Sequence, residues 1–350
     1  MKEFPASLEQ KKITLADCID IALQNSPNTR QAWQTAKEAE AQARQSLSQL
    51  YPAVTLSMDM NYSKGISRAL YYDDKIKGVD QHINFGPCID ITYLILDAGG
   101  MSASIKGAIA NLYQQNFLFN QSVQDLFLAT ETAYFNYCAA LERVETYKDN
   151  VKEAYKVLRI ISARCKGGLA AKLDVYQAKA RFENERYNLA QAEGDLEGAK
   201  ADLTKAMGVS AFSVFTITRP EKEFAVTLDQ EIVTRLISQG LEKRQDIAAL
   251  RASVIQREYA VNAARSKLWP SLNLEGLGDY SRYNSYHKPI NEILTNKYTS
   301  TMNTSIGVSL QWDVFDGFSN YYNKVAAEKD LEAERQKLKQ LEIEAATLLK

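Results

Sequence analysis

Histidine is nearly missing from this sequence: His82 and His287 are the two among 350 residues. Both fall in or beside expected external loops and read as solvated loop residues rather than ligands. No HExxH pattern, phosphate-cradling glycine loop or nucleophile elbow is present, so the common enzyme constellations are excluded. Charge of one sign is not in excess, with Lys+Arg at 42 and Asp+Glu at 43. That balance argues against a nucleic-acid partner and against a polybasic membrane patch. A run of about eighteen apolar residues is also lacking, which excludes a transmembrane helix. Proline (7) and glycine (16) are scarce and gather at boundaries, a distribution that suits long uninterrupted helices. The four cysteines are not placed as metal ligands. Cys138 and Cys165 fall on one expected helix, roughly 40 Å apart at 1.5 Å per residue, too far for a disulfide. Cys18 opens a short helix, and Cys88 falls on the polar side of an expected strand. Nothing implies a cofactor. Residues 1–10 hold no apolar h-region, so no secretory signal is visible. The export that a spanning strand requires would then have used a leader already removed.

What the sequence does have is alternation. In 300–317, Met302, Thr304, Ile306, Val308, Leu310, Trp312 and Val314 fall on one side. Asn303, Ser305, Gly307, Ser309, Gln311 and Asp313 fall on the other. A two-residue period predicts a strand with one oily and one wet face. Such a strand exceeds the usual five or six residues and reaches the roughly nine to eleven that cross a bilayer. Three more segments repeat the pattern. Residues 54–63 set Val54, Leu56, Met58, Met60 and Tyr62 against Thr55, Ser57, Asp59, Asn61 and Ser63. Residues 83–93 set Ile83, Phe85, Pro87, Ile89, Ile91 and Tyr93 against Asn84, Gly86, Cys88, Asp90 and Thr92. Residues 271–283 are weaker, because Leu277 interrupts the side carrying Asn273, Glu275 and Asp279. The stretches between partners, 64–81 and 284–299, read as polar loops.

Around the strands the period becomes helical. Thr14-Leu15-Ala16-Asp17 predicts a capping box opening a helix to about Leu23, stopped at Asn25-Ser26-Pro27. A second helix is expected to about Leu50, with Ala32, Ala36, Ala39, Ala43, Leu47 and Leu50 on one face. From Met101 to Lys166 an apolar seam at 4-3 spacing predicts a left-handed coiled-coil helix roughly 100 Å long. Gly167-Gly168 reverses it, and Val175, Phe182, Leu189, Leu196 and Leu203 mark a return helix to Met207. A short strand is expected at 214–218. Then the order recurs. Thr227 repeats the capping box of Thr14, Trp269-Pro270 repeats Tyr51-Pro52, and Asp316 repeats Asp97, each aspartate at a helix N-cap. Beyond Gly317 a new seam of Leu331, Leu338, Leu341, Ala345 and Leu348 begins, and the chain stops at Lys350 in mid-helix. The second copy therefore reads as truncated, its seam uncovered and protease-sensitive.

In order, spacing and duplication these motifs resemble the TolC-type outer-membrane efflux family over almost the whole chain. The carrying residues are the Thr14-to-Pro27 opening, Tyr51-Pro52, Leu96-Asp97-Ala98-Gly99-Gly100, the turn Arg164-to-Leu169 with Asp174, Trp269-Pro270, and Trp312-to-Gly317. The resemblance implies an α+β membrane protein in which long antiparallel coiled-coil helical hairpins form an α-helical tunnel. Four transmembrane β-strands per chain would join a shared twelve-stranded barrel, because a single-chain barrel needs about eight and open edges in lipid cost several kcal/mol per backbone group. The implied protein is a homotrimer in the bacterial outer membrane with a periplasmic extension. It would be the passive exit duct of a tripartite efflux pump or type I secretion system, and not an enzyme. Its implied partners are a periplasmic adaptor (membrane fusion) protein, an inner-membrane pump or ABC transporter, and outer-membrane lipid, with no nucleic acid. A structural coiled-coil or adhesin-like surface protein is the alternative, although it would not need a lipid-facing band.

Residue by residue, the resemblance implies an adaptor-contacting tip at Arg164, Gly167, Gly168, Leu169 and Asp174. Here Lys166 and paired glycines stand where the family often has a valine before one glycine. Aromatic girdles are expected from Tyr51, Tyr93, Trp269 and Trp312 at the helix-side strand ends, and from Tyr62 and Tyr280 toward the loop ends. Asp59, Asp90, Glu275, Gln311 and Asp313 are expected to face the lumen. The expected segments are 1–50 (N-terminal segment and first tunnel helix), 51–97 (first barrel hairpin) and 98–207 (long periplasmic helical hairpin). An equatorial connector at 208–229 follows, then second-repeat helices at 230–268, the second barrel hairpin at 269–316, and an incomplete second long helix at 317–350.

Overall fold

The structure is a computed structural model that describes residues 12–71, 74–210, 213, 215–218, 243–289 and 295–347. The expected capping box at Thr227, the start of the expected short strand at Val214, and seam residue Leu348 lie outside them. In chain order the elements are β1 (Lys12–Ile13), α1 (Leu15–Asn25), α2 (Pro27–Ser46), β2 (Ala53–Tyr71), β3 (Asp74–Leu96) and α3 (Gly100–Lys166). There follow α4 (Lys172–Met207), β4 (Thr216–Ile217), α5 (Gln245–Ser266), β5 (Ser271–Pro289), β6 (Thr295–Gln311) and α6 (Ser319–Thr347). Two compact units emerge: described residues within 1–37 and 115–249, and those within 38–114 and 250–348.

In the first unit Thr14 caps α1 as its sequence predicts. The Asp17 amide donates to Thr14 Oγ1 at 3.3 Å, and the Thr14 amide donates back to Asp17 Oδ2 at 2.9 Å. The α3 and α4 segments run antiparallel, with Tyr155 against Phe182 (ring centroids 5.7 Å) and Arg143 4.0 Å from Asp195. Seam residues Val144, Ala154 and Leu203 are buried, while Asn116, the polar interruption, is exposed. A two-residue parallel ladder joins β1 to β4, Lys12 to Thr216 and Ile13 to Ile217. Around it lies a core of Ile13, Cys18, Ile21, Tyr134, Tyr137, Cys138, Leu203 and Met207. The Tyr134 hydroxyl donates to the Thr218 carbonyl there. Burial, reinforced by Asp17 and Cys138, pushes the Cys18 thiol up to about 12, so it is held as a neutral apolar group.

In the second unit α2 buries Ala39 and Ala43 but ends at Ser46. A 3-10 turn over Leu47–Leu50 carries Leu47 and Leu50 into solvent, away from the expected apolar face. The four long strands form one antiparallel sheet in the order β2-β3-β5-β6. Residues 64–71 and 74–81 are strand rather than polar loop, paired from Lys64↔Gln81 to Tyr71↔Asp74. On the second hairpin 284–289 and 295–299 pair likewise, from Asn284↔Tyr298 to His287↔Thr295. The alternation fades in these stretches because apolar residues such as Ile66, Leu70, Ile76 and Val79 are mixed with charged ones such as Arg68, Lys75 and Lys77, and backbone pairing does not require an apolar face. His82 and His287 therefore lie in strands and not in loops. In contrast β6 stops at Gln311, short of the expected Gly317. The ladder position opposite Trp312 is that of Pro270, which has no N–H to give.

The expectation of an uncovered second seam is also overturned. α5 lies antiparallel along α6, with Arg251 3.0 Å from Glu342, Arg257 2.9 Å from Asp330, and Arg335 2.8 Å from Glu258. Leu331, Leu338 and Leu341 are half-buried and Ala345 fully buried. A short helix N-terminal to the hairpin can cover a seam as well as a return helix can.

Candidate functional site

The sheet has two chemically different faces, and register sets which residue lies on which. Leu56↔Ile89, Met60↔Phe85, Leu274↔Val308 and Tyr280↔Met302 put the apolar sets of the strands on one side. That side is open to solvent in the single chain, with Ile306 81% and Met302 77% exposed. Exposed apolar surface on this scale needs a partner phase. Its composition changes at the row Tyr62↔Ile83 and, on the second hairpin, Tyr280↔Met302. Beyond those rows the same side carries Lys64, Gln81, Arg282 and Ser300. From Val54 to Tyr62 the apolar band spans roughly 26 Å at about 3.3 Å per residue.

The opposite side carries Asp59, Asp90, Glu275 and Asp279 and, among the described residues of that band, no cation. Polar ladders cross it. Ser309 Oγ donates to Glu275 Oε1 at 2.6 Å, Asn303 Nδ2 to Asp279 Oδ2 at 3.2 Å, and the Ser281 and Thr301 hydroxyls lie 2.8 Å apart. Asp279 was absent from the lumen-facing set drawn from sequence, although the alternation contains it. Leu277 pairs with Asp90 and Ser305, so it stands on the polar side as its parity requires. The two hairpins meet at β3 and β5, where a Cβ on Gly86 would come within 1.7 Å of the Tyr280 carbonyl oxygen. Only glycine allows that approach.

The aromatic positions divide. Tyr51 and Trp269 stand exposed just before β2 and β5. Tyr93 is half-buried on the apolar side beside Leu274. Trp312 lies past the end of β6, its Nε1 donating to the Leu268 carbonyl at 3.3 Å. Tyr62 and Tyr280 lie mid-strand, not at loop ends, because the strands run on to Tyr71 and Pro289. Sequence reasoning missed Phe315, Phe318, Tyr321 and Tyr322, exposed aromatics at the start of α6. Gln311 closes the polar face, whereas Asp313 lies beyond the strand, so alternation does not orient it. Both line a polar cleft of about 430 Å³ with Asp97, Lys267, Trp269 and Asn320. The two expected cap aspartates act as such: Asp97 Oδ2 accepts from the Met101 amide at 2.5 Å, and Asp316 Oδ2 from the Asn320 amide at 2.7 Å.

At the other candidate site the α3–α4 turn is a Schellman motif. The Leu169 amide reaches the Arg164 carbonyl at 2.8 Å and the Gly168 amide the Cys165 carbonyl at 3.1 Å, with Gly168 at φ +76°. Gly168 thus answers a backbone demand that Gly167, with no positive φ, does not share. Asp174 caps α4 by accepting from the Ala171 amide at 2.9 Å. Leu169 is 81% exposed, and Leu173 and Tyr176, which the sequence reading passed over, are exposed beside it.

Comparison with known proteins agrees with this geometry. The family described as outer membrane efflux protein matches residues 18–209 and 236–348. Protein CyaE of Bordetella pertussis is 24% identical over 328 residues, 94% of this chain and 66% of its own. The pyoverdine export outer membrane protein OpmQ of Pseudomonas putida is 25% identical over 263 residues, 74% of this chain and 55% of its own. The chain therefore spans between about half and two-thirds of the length of these relatives. In fold it is similar to the outer membrane protein VceC of Vibrio cholerae, with a TM-score of 0.76 at 19% identity, covering 95% of this chain and 76% of that one.

Proposed function

The chain belongs to the outer membrane efflux protein family, and from that premise we propose that it supplies one subunit's share of a passive exit conduit through the bacterial outer membrane. The observation that carries the reading is the two-faced sheet, whose apolar band has the height of a bilayer's hydrocarbon layer and whose polar side is acidic. Lipid meets the apolar side. Solutes pass along the other, where four carboxylates without a cation favour cationic over anionic cargo. Within the described residues β2 pairs with β3 alone and β6 with β5 alone, leaving two edges that lipid cannot satisfy. Pairing β6 of one subunit with β2 of the next in a trimer closes a twelve-stranded barrel.

The recurrence of helix, β-hairpin and long helix supports an internal repeat. Its segments would be those of the sequence reading, with the long α3–α4 hairpin in the periplasm as part of a helical tunnel. There the tip of Arg164, Gly167, Gly168 and Leu169, extended by Leu173 and Tyr176, meets a periplasmic adaptor, with Asp174 holding the shape of the turn. An inner-membrane pump or ABC transporter supplies the energy, in a tripartite efflux pump or type I secretion system. Tyr51, Tyr93, Trp269 and Trp312, joined by Phe315 and Phe318, form the periplasmic aromatic girdle. Tyr62 and Tyr280 mark the outer edge of the lipid, above which the hairpins project.

Single cysteines at Ile306 and Val308, and at Ser305 and Ser309, test the two faces in a background without native cysteines. After reconstitution a water-soluble thiol reagent should modify the serine positions and spare the apolar ones. Equal modification of both sets would remove the barrel reading.

A further inference from the structure

Where the strands hand over to the helices, the second unit holds another cleft, and its charge is opposite to that of the sheet's acidic side. It measures about 330 Å³ and lies between α3 and α5. Ser102 and Lys106 line it from α3, Tyr259, Asn262 and Arg265 from α5, with Trp269 just beyond. Glycine lets the two helices come close. A Cβ on Gly100 would run into Ser266 Oγ, and one on Gly107 would meet Tyr259 Cβ at 3.5 Å.

Among the described residues no carboxylate lines this cleft. None occurs in sequence from Gly100 to Gln124 or from Tyr259 to Trp269. The flanking acids are engaged elsewhere: Asp97 Oδ2 accepts from the Met101 amide at 2.5 Å, and Glu258 lies 2.8 Å from Arg335. Of the arginines of α5, Arg251 and Arg257 pair with Glu342 and Asp330, whereas Arg265 has no carboxylate partner among the described residues. It stands in the last turn of α5, where the helix end offers only about half a charge against its full one. Lys106 Nζ lies 6.0 Å from the Tyr259 ring centroid, a contact that holds the cation without neutralising it. Two cations from two helices thus share one cleft, with the Ser102 hydroxyl and the Asn262 amide as further donors. A guanidinium fork beside an ammonium suits the oxygens of a phosphate.

Position favours a lipid phosphate over one carried by a solute. At 3.6 residues per turn, Ser102 and Lys106 fall on the side of α3 nearly opposite to Met101 and Ser104. Those two line the polar cleft already described, together with Ser271 and Gln311 of the sheet's polar side. The cationic cleft therefore opens away from the polar side. Trp269, exposed just ahead of β5, borders it, and an indole suits the boundary between membrane and water. Basic pockets between helices at a membrane surface commonly hold phospholipid headgroups.

We propose that the cleft of Lys106 and Arg265 binds the phosphate of an anionic phospholipid headgroup. The cation pair stands on the cleft itself. Its depth at the periplasmic surface of the bilayer rests on the barrel reading above.

The test is calorimetric titration of the full chain, in a neutral phosphate-free detergent, with dihexanoyl phosphatidylglycerol. Dihexanoylglycerol, which lacks the phosphate, and inorganic phosphate are titrated in parallel. One phosphatidylglycerol per chain is expected, weakened in Lys106→Gln and in Arg265→Gln by roughly tenfold or more, as loss of a charge-assisted hydrogen bond predicts. Lys339→Gln, which removes an exposed charge from α6, should leave binding unchanged. No binding by the parent, equal binding of dihexanoylglycerol, or unchanged binding in both cleft variants would each overturn the proposal. Inorganic phosphate binding as tightly as the lipid would overturn the lipid as occupant. Should a variant lose helix by circular dichroism, the salt dependence of the parent decides instead. Affinity that falls as salt is added supports the cation pair, and affinity indifferent to salt sinks it. Light scattering on the same sample separates the two readings, since a monomer that binds phosphatidylglycerol keeps the site and loses the barrel.

Discussion

Glu334 occupies a seam position of α6 that its heptad marks as apolar, between Leu331 and Leu338, and it is only 7% exposed. Burial works against its charge, but hydrogen bonds from Ser253 Oγ (2.6 Å) and Lys337 Nζ (2.9 Å), with the positive charges of Lys337 and Arg257, leave its carboxyl below the ordinary value of 4.5. Asp246 is lowered in the same sense, first by its paired hydrogen bonds from Arg244 at 3.0 and 2.6 Å. A depressed carboxyl stabilises the fold above its unfolded-state pKa, and that stability is lost as pH falls through the folded value. Denaturant unfolding followed by circular dichroism should therefore show stability declining once pH drops below about 4.5. Glu334→Gln should flatten that decline. Glu334→Ala should also cost about 1–3 kcal/mol near neutral pH, because it strands the buried Ser253 hydroxyl. An unchanged acid profile in Glu334→Gln would show that this carboxylate contributes nothing.

At the scale of elements, the cover that α5 gives α6 reverses the expectation of a frayed segment after Gly317. Its three exposed interhelical ion pairs are each worth at most about 1 kcal/mol, so the half-buried leucines and Ala345 carry the contact. Limited proteolysis of the present chain should leave α6 among the later segments cut. Ala345→Arg forces a long charged side chain into a fully buried position and should make α6 the first to be cut. Cleavage of the parent's α6 at the rate of an unfolded control would show that α5 does not hold it. The strand lengths teach a related lesson. Alternation located the two-faced part of β2, β3, β5 and β6 well, and missed the parts toward the hairpin turns, where mixed apolar and charged residues leave no periodic signal.

For the whole molecule, the decisive feature is a sheet that ends in two edges. Closing them between copies predicts a trimer in mild detergent, measurable by size-exclusion chromatography with light scattering. A monodisperse monomer retaining its strand content would mean that the edges are covered in some other way, and the shared barrel would fall.

Local chemistry alone determined much of this protein. The capping box at Thr14, the reversal at Gly168, the heptads of α3 and α4 and the faces of four strands follow from side-chain period and from the φ that glycine permits. The acidic face of the sheet was legible for the same reason, since Asp59, Asp90 and Glu275 needed nothing but parity to share one side. What stayed hidden depends on neighbours distant in sequence. The approach of Gly86 to Tyr280 joins the hairpins, Pro270 ends the ladder at Gln311, and α5 covers α6. Side-chain period is a property of one strand or helix, but register belongs to a pair, and no single segment of chain contains it.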